Sequence, residues 1–292
     1  MYSSDFAYHA PTSLTEAISL LQGAGDGDVK VLAGGQSLLP LIKLRLASPA
    51  TLVDLSKVSD LRGIADGGDS VVVGAMTTYF QAIDSPVIQR RCPLILQAVN
   101  QVGDPQVRAR GTIGGSLAHG DPAGDLPAVA VALDAELRAM GPQGQRVYLA
   151  RDFFVDALET ALRPDEVLTA VKFTATDRPH TGTAYVKHRH PASGYAVVGV
   201  AAVVALNPDG TCQSARVGIT GAGGHAVRAS GVEQALAGRP LDDATLAQAT
   251  SSAADGVDLL SDTYASADYR AHLTRVLTKR ALAQAADAAR RA

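Results

Sequence analysis

Cysteine and aromatic residues are scarce in this sequence. Its 292 residues include only Cys92 and Cys212, no tryptophan, and 4% aromatic residues in all. Two cysteines far apart in the sequence cannot bind a zinc ion or an iron–sulfur cluster by themselves, and they do not suggest a disulfide framework. We therefore expect a protein of a reducing compartment, the cytoplasm.

The sequence also lacks a strong net charge and long apolar runs. The net charge is −3 and the pI is near 6.1, so no nucleic-acid partner is expected. No segment reaches the roughly 18 uncharged apolar residues that a membrane span requires. The first residues also lack the basic and apolar regions of a signal peptide. We expect neither export on such a signal nor insertion into a membrane.

Several catalytic motifs are missing as well. No Gly-Lys-Ser/Thr follows either glycine-rich loop, which argues against a P-loop kinase or ATPase, and no G-x-S-x-G elbow indicates a serine hydrolase. His188 and His190 would point to opposite faces of an extended strand, and no third ligand lies nearby in the sequence. His119 has Asp121 and Asp125 close by, which favours loop ordering or helix capping over catalysis. No metal site is predicted.

The apolar pattern predicts short helices and strands mixed along the chain, the α+β fold class. With 47% hydrophobic residues, the chain is long enough for two domains. The polar stretch "TATDRPHTG" is the best candidate linker, so we place a boundary near residue 176. The first domain then covers residues 1–176. The second covers residues 177–292 and should be an antiparallel sheet packed against helices.

Two glycine-rich loops are the most informative feature of the sequence. "AGGQS" at residues 33–37 follows a short apolar strand, and "TIGGS" at residues 112–116 repeats the pattern. Paired glycines permit positive φ, so that successive N–H groups can form an anion-binding nest. Short polar side chains within both loops suit phosphate or ribose. Two such loops fit a pyrophosphate, although tight turns selected for packing are the alternative for each loop.

A third glycine-rich segment gives a competing signal. In "ITGAGGHAVRA", Gly221, Gly223 and Ala226 satisfy the G-x-G-x-x-A spacing of dinucleotide-binding folds. Such a fold requires a further strand after the next helix, whereas the residues after Pro240 are alanine-rich and helical in character. We interpret this segment as a turn between sheet and helix.

Together the segments resemble one family, the FAD-binding medium subunits of the molybdenum hydroxylases, which include carbon monoxide dehydrogenase and xanthine dehydrogenase. The resemblance rests on "AGGQSLLPLIKLRLASPATLVDL", "GAMTTY", "GDPQVRARGTIGGSLAHGDPAGDLPA", "PASGYAVVGVAA" and "SADYRAHLTRVLTKRAL". It implies an FAD-binding domain of the vanillyl-alcohol-oxidase type, with subdomains of about 1–55 and 56–176. A smaller α/β C-terminal domain with an antiparallel sheet would follow.

The resemblance also implies site residues. Both glycine loops would hold the FAD pyrophosphate, an acidic residue would contact the cofactor, and a tyrosine and a lysine would lie near the isoalloxazine ring. The implied positions are Ala33, Gly34, Gly35, Gln36, Ser37, Thr112, Ile113, Gly114, Gly115, Ser116, Asp125, Lys187 and Tyr195. Gly120 and Gly124 depart from the family pattern, where alanine or serine is usual. No catalytic acid, base or nucleophile is implied on this chain.

The implied function is electron transfer within a heterotrimer. FAD on this chain would accept electrons from [2Fe-2S] clusters on a small subunit and pass them to quinone, NAD or oxygen. A large subunit would carry the molybdenum cofactor, and the assembly would be a dimer of heterotrimers. Two alternatives stay open, namely a free-standing flavin oxidase and a cofactor-free assembly or scaffold protein of the same fold. The organic substrate and the acceptor do not follow from this sequence.

Overall fold

The computed structural model describes residues 3–23 and 29–292. No helix within these ranges is both long and apolar enough to pass through a bilayer. The described chain forms three sheets, a small hairpin and helices packed on them, which confirms the α+β class.

The first described elements form a three-stranded parallel sheet. Its strands are β1 (Ala7–His9), β2 (Val29–Leu32) and β3 (Thr51–Asp54), in the order β1-β3-β2, and its helices are α1 (Leu14–Gln22) and α2 (Leu38–Lys43). Helix α1 begins after Ser13, whose hydroxyl accepts the N–H of Glu16 at 3.2 Å. Its apolar face, which includes Ala17 and Ile18, packs against Val53 of β3. This packing fixes β2, whose carboxyl end leads directly into the first glycine loop.

A five-stranded antiparallel sheet follows in the order β4-β5-β10-β6-β7. Its strands are β4 (Ile64–Asp66), β5 (Ser70–Gly74), β6 (Glu136–Gly141), β7 (Gly144–Leu149) and β10 (Val167–Thr174), and β8 (Phe154–Asp156) and β9 (Glu159–Thr160) form the hairpin. The helices of this region are α3 (Tyr79–Ile83), α4 (Pro86–Arg91), α5 (Pro93–Val99), α6 (Pro105–Arg110), α7 (Ile113–His119), α8 (Asp125–Ala132) and α9 (Ala150–Phe153). Helix α5 is separate from α4 because Pro93, which has no N–H, occupies its first position.

The C-terminal region is a four-stranded antiparallel sheet covered by helices, as the sequence predicts. Strands β11 (Thr181–Arg189), β12 (Ala196–Leu206), β13 (Cys212–Thr220) and β14 (Val227–Arg228) pair in chain order, and the helices are α10 (Ser230–Leu236), α11 (Asp243–Thr250) and α12 (Ala267–Arg291). Helix α12 lies very close to β11, because a Cβ at Gly182 would be only 2.1 Å from the carbonyl oxygen of Ala285.

Helix α8 joins the two halves of the molecule. All eight of its residues are buried, and a Cβ at Gly218 of β13 would lie 2.1 Å from the carbonyl oxygen of Ala128. Just before the helix, the Thr220 hydroxyl lies 2.7 Å from the carbonyl oxygen of Pro122 and 2.8 Å from that of Gly124. The C-terminal sheet therefore supports both α8 and the turn that leads into it.

Two expectations about the C-terminal region can be compared with the structure. The interpretation of Gly221 as part of a turn agrees with its φ of +79° and with its N–H bond to the Pro122 carbonyl oxygen at 2.7 Å. The expectation that His188 and His190 point to opposite faces is wrong. Side chains two residues apart in a strand lie on the same face, and the ring centroids of the two histidines lie 6.5 and 4.5 Å from that of Tyr264.

Candidate FAD-binding site

The first glycine loop, residues 33–37, differs from its surroundings in how its backbone N–H groups are used. Gly35 has a φ of +75°, and α2 begins directly after Ser37. In the described ranges, the N–H groups of residues 34–37 donate to no protein acceptor. The Gln36 side chain lies back across the loop, with Nε2 3.4 Å from the carbonyl oxygen of Gly34. The loop can therefore offer several N–H groups to an anionic ligand.

The second glycine loop, residues 112–116, uses its N–H groups within the protein. It forms the first turn of α7 and is capped by Thr112. The N–H groups of Ile113 and Gly114 donate to the carbonyl oxygens of Thr77 (2.9 Å) and Ala75 (2.8 Å). Those of residues 115 and 116 donate to Oγ1 (3.0 Å) and to the carbonyl oxygen (3.1 Å) of Thr112. The N–H groups of residues 113–116 are therefore not available to a ligand, and the role of this loop is to support its neighbours.

Glycine has a different physical role in each loop. The expected positive φ is found at Gly35 alone, so the prediction of a nest of positive-φ glycines is wrong for the second loop. There glycine permits close packing, because a Cβ at Gly114 would lie 2.4 Å from the Cβ of Ala75 and 2.7 Å from its Cα. The second loop also begins a helix and does not end a strand.

The two loops contact each other directly. A Cβ at Gly34 would lie 2.1 Å from the carbonyl oxygen of Arg110 and 2.9 Å from the Cα of Gly111. A Cβ at Gly115 would lie 3.2 Å from the Cβ of Ala33. The fold therefore brings together the two motifs that the sequence separates by about eighty residues, and only glycine fits where the backbones meet.

Two tyrosines border the loops. Burial raises the pKa of Tyr79, which packs beside the second loop, and a hydrogen bond with Ser116 opposes that rise. Tyr195, at the start of β12, is 44% exposed, yet partial burial raises its pKa. The carboxylates of Asp121 and Asp125 add to that rise, and a hydrogen bond with Ser37 opposes it. The phenol of Tyr195 thus lies beside the first loop although it belongs to the other half of the chain.

Asp125 and Lys187 form a buried ion pair. The Lys187 ammonium lies 2.9 Å from both carboxylate oxygens of Asp125 and 3.2 Å from the carbonyl oxygen of Gln101, and its side chain is fully buried. The Tyr185 hydroxyl donates to the same carboxylate at 2.5 Å. Burial raises the pKa of Asp125, and the Lys187 ammonium and the Tyr185 hydroxyl oppose that rise. The carboxylate is held by two side chains of β11.

The buried pair of Asp125 and Lys187 excludes two simpler roles, a helix cap for the aspartate and a solvated strand end for the lysine. Asp125 occupies the first turn of α8, where Gly124 is the N-cap, so Asp125 is not a capping residue. Lys187 is not a solvated strand end either, because the protein binds its ammonium group completely. Gly120, which departs from the family pattern, ends α7 with a φ of +62°, a conformation that glycine adopts without strain.

The sequence interpretation missed Tyr185 and Thr220, the side chains that connect the C-terminal sheet to the site. Tyr185 lies two residues before Lys187 on the same strand, so the alternation of side chains in a strand could have indicated that both face α8. Thr220 gives no comparable signal, because only the folded chain brings its hydroxyl to the turn before α8.

Two family models match the chain. A model described as the FAD binding domain in molybdopterin dehydrogenase matches residues 4–174, and one described as the CO dehydrogenase flavoprotein C-terminal domain matches residues 183–285. This chain belongs to the FAD-binding medium subunits of the molybdenum hydroxylases. Within this family, the carbon monoxide dehydrogenase medium chain of Hydrogenophaga pseudoflava is 39% identical, and the alignment covers 95% of this chain and 96% of that one.

Two further relatives are named for other substrates. The 6-hydroxypseudooxynicotine dehydrogenase complex subunit alpha of Paenarthrobacter nicotinovorans is 35% identical, with 99% of this chain and 97% of that one covered. The solved quinoline 2-oxidoreductase of Pseudomonas putida 86 superposes with a TM-score of 0.92 at 34% identity, covering 99% of each chain. The chain is thus an oxidoreductase subunit with an FAD-binding domain.

The residues present fit an FAD pyrophosphate. The N–H groups of residues 34–37, which have no acceptor among the described residues, can donate to phosphate oxygens. The second loop contacts the first and keeps it in position. The N–H donors for a phosphate and the residues that support them therefore lie side by side.

Proposed function

We propose that this chain is the electron-transferring flavoprotein of a three-subunit molybdenum hydroxylase. In this proposal FAD, when bound, accepts electrons singly from [2Fe-2S] clusters on a small partner subunit and releases a pair to quinone, NAD or oxygen. A large partner subunit carries the molybdenum cofactor, and the assembly is a dimer of heterotrimers. The protein's own contribution is to bind the cofactor, orient it and adjust its environment.

The free N–H groups of the first glycine loop are the observation that carries this proposal. We assign pyrophosphate binding to residues 33–37, with residues 112–116 placing that loop. Tyr195, which lies beside Ser37 and is partly exposed, is assigned to the isoalloxazine ring. We assign the pair of Asp125 and Lys187 to the second layer around the cofactor, because each of them binds the other.

The cysteines support placing the iron–sulfur clusters on a partner. Cys92 and Cys212 are both fully buried and lie in different core clusters. Burial raises the pKa of Cys92 to about 12 and that of Cys212 to about 11, so neither thiol is disposed to form the thiolate that binds iron.

We assign the selection of the organic substrate to the partner subunit that carries the molybdenum cofactor. Relatives named for carbon monoxide, 6-hydroxypseudooxynicotine and quinoline are similar to this chain at 34 to 39% identity over nearly its whole length. Because chains this similar occur in enzymes named for such different substrates, we infer that the medium subunit does not select the substrate.

The test is the visible absorption spectrum of the chain, purified alone and purified after co-expression with the genes that flank its own. We expect about one FAD per chain, with iron–sulfur absorption only in the co-expressed sample. No flavin in either sample would reject the FAD assignment and favour a scaffold role. Turnover of an organic substrate by the chain alone would instead indicate a free-standing oxidase.

A further inference from the structure

The segment after the first glycine loop exposes an unusual amount of apolar surface. Leu39, Leu44 and Leu46 have exposed fractions of 37, 58 and 72%, and the ammonium-bearing Lys43 is exposed among them. We call these four residues the leucine patch. Large apolar side chains that are exposed together mark interaction sites more often than scattered single ones do.

An ordered turn holds the patch in place. The Leu41 carbonyl oxygen accepts the N–H groups of Leu46 at 2.9 Å and Ala47 at 3.3 Å, which closes the chain tightly after α2. Arg45, between two exposed leucines, has a φ of +59°, a conformation that residues other than glycine, asparagine and aspartate seldom adopt. The turn therefore maintains an uncommon backbone conformation while it leaves Leu44 and Leu46 in solvent.

The patch is continuous with the loop assigned to the cofactor. Helix α2 begins at Leu38, directly after Ser37, and a Cβ at Gly35 would lie 2.8 Å from Cδ1 of Leu39. A protein that covers the leucine patch is thus brought next to residues 33–37. The electron donor of the proposed complex must come close to the cofactor that this loop is assigned to hold.

The sequence that contains the patch carries basic residues and no acidic ones. Residues 38–53 include Lys43 and Arg45 and contain no aspartate or glutamate. An apolar centre with a basic rim fits a partner whose apolar face is bordered by carboxylates, since opposite charges at the rim steer association and fix orientation.

We propose that the leucine patch docks the small [2Fe-2S] subunit through an apolar face bordered by acidic residues. This inference rests on the proposed function. The patch places the electron donor beside the cofactor loop without using any residue assigned to the cofactor.

The test uses the co-expressed three-subunit complex. The double variant Leu44→Ser with Leu46→Ser should bind the other subunits at least about tenfold more weakly, because a few side chains buried at the centre of an interface carry most of the affinity. Lys43→Glu should weaken binding several-fold at low salt and less at high salt. The matched control is Val147→Ser, which changes an apolar residue of β7 that is 52% exposed and should leave assembly unchanged.

Three readouts separate the outcomes: the FAD content of the isolated chain, its melting temperature, and the dissociation constant of the complex. Unchanged FAD content and melting temperature with weaker assembly would support the proposal. Wild-type assembly by both patch variants would overturn it, as would a patch that only joins two copies of this chain. An isolated wild-type chain without FAD would indicate failure of the proposed function, which is a separate result.

Discussion

The two glycine loops look alike in sequence but differ in how the protein uses their backbones. Within the described parts of the chain, the N–H groups of residues 34–37 have no protein acceptor, whereas those of residues 113–116 all donate within the fold. Positive φ occurs at Gly35, while Gly114 is required by the backbone packed against it. A pair of glycines in a sequence therefore has at least two meanings, and only the hydrogen-bond partners distinguish a ligand-binding loop from a supporting one.

The largest expected effect comes from the buried ion pair of Asp125 and Lys187, whose aspartate follows the second glycine loop in the sequence. Lys187→Met should lower the free energy of unfolding by roughly 3–5 kcal/mol, because it leaves the Asp125 carboxylate buried without its counter-ion. Urea denaturation measures the change. The control is Lys172→Met, which breaks the partly exposed pair with Glu136 and should cost no more than about 1 kcal/mol. Equal losses of unfolding free energy in both variants would show that burial does not make the Asp125–Lys187 pair more important for stability than the partly exposed pair.

The next effect tests the packing role of the second loop. Gly114→Ala should destabilise the protein by about 1–3 kcal/mol, because the new Cβ would overlap Ala75 and its backbone must move. FAD content should fall only as far as the folded fraction falls. The control is Gly231→Ala in α10, where a Cβ meets no atom within 4 Å. Thermal unfolding followed by flavin release decides the matter, and a fully stable Gly114→Ala protein would contradict the packing argument.

A smaller loss of stability but a larger loss of cofactor is expected at Gly35. Gly35→Ala should cost about 1–2 kcal/mol of folding free energy, because alanine at a φ of +75° is strained. Its FAD dissociation constant should rise by more than this stability change accounts for, since the loop must relax away from the conformation that presents its N–H groups. Titration of the apoprotein with FAD measures the difference. If affinity fell only in step with stability, the two loops would be equivalent.

The smallest effects are expected from alanine substitutions at Thr112, the first residue of the second loop, and Ser37, the last residue of the first loop. Thr112→Ala should cost about 1 kcal/mol of stability because it removes the hydroxyl that accepts the Gly115 N–H, with little direct effect on FAD affinity. Ser37→Ala should change stability little, because the Ser37 side chain makes no capping bond and its hydrogen bond is with the partly exposed Tyr195, and it should weaken FAD binding. Melting temperature and FAD titration of both proteins test the comparison, which a reversed pattern would contradict.

Much of the fold follows from local sequence patterns. Helix α1 can be predicted from Ser13 and its apolar spacing, and the three long C-terminal strands and α12 from their composition, whereas the two-residue strand β14 is not evident. The positions of both glycine loops are also evident, because their glycines are adjacent and follow or precede apolar segments. In these cases, the physical cause lies within a few residues of its effect.

The contacts that decide how the site works are not local. Asp125 meets Tyr185 and Lys187 sixty or more positions later, and Gly34 meets the backbone of Arg110, so no window of sequence contains both partners. The engagement of the N–H groups of Ile113 and Gly114 depends on strand-end carbonyls at residues 75 and 77. Composition gives no information about such pairings, which is why the roles of the two loops could not be separated from the sequence.

The close contact between Gly218 and Ala128 has a thermodynamic consequence. Because the backbones of α8 and β13 touch, neither half of the molecule can open without exposing buried surface of the other. A ligand that binds only the native chain stabilises every element that unfolds together with its site, by an amount that grows with ligand concentration. Saturation with FAD should therefore raise the melting temperature of the C-terminal sheet as much as that of the glycine loops, and calorimetry should record one transition.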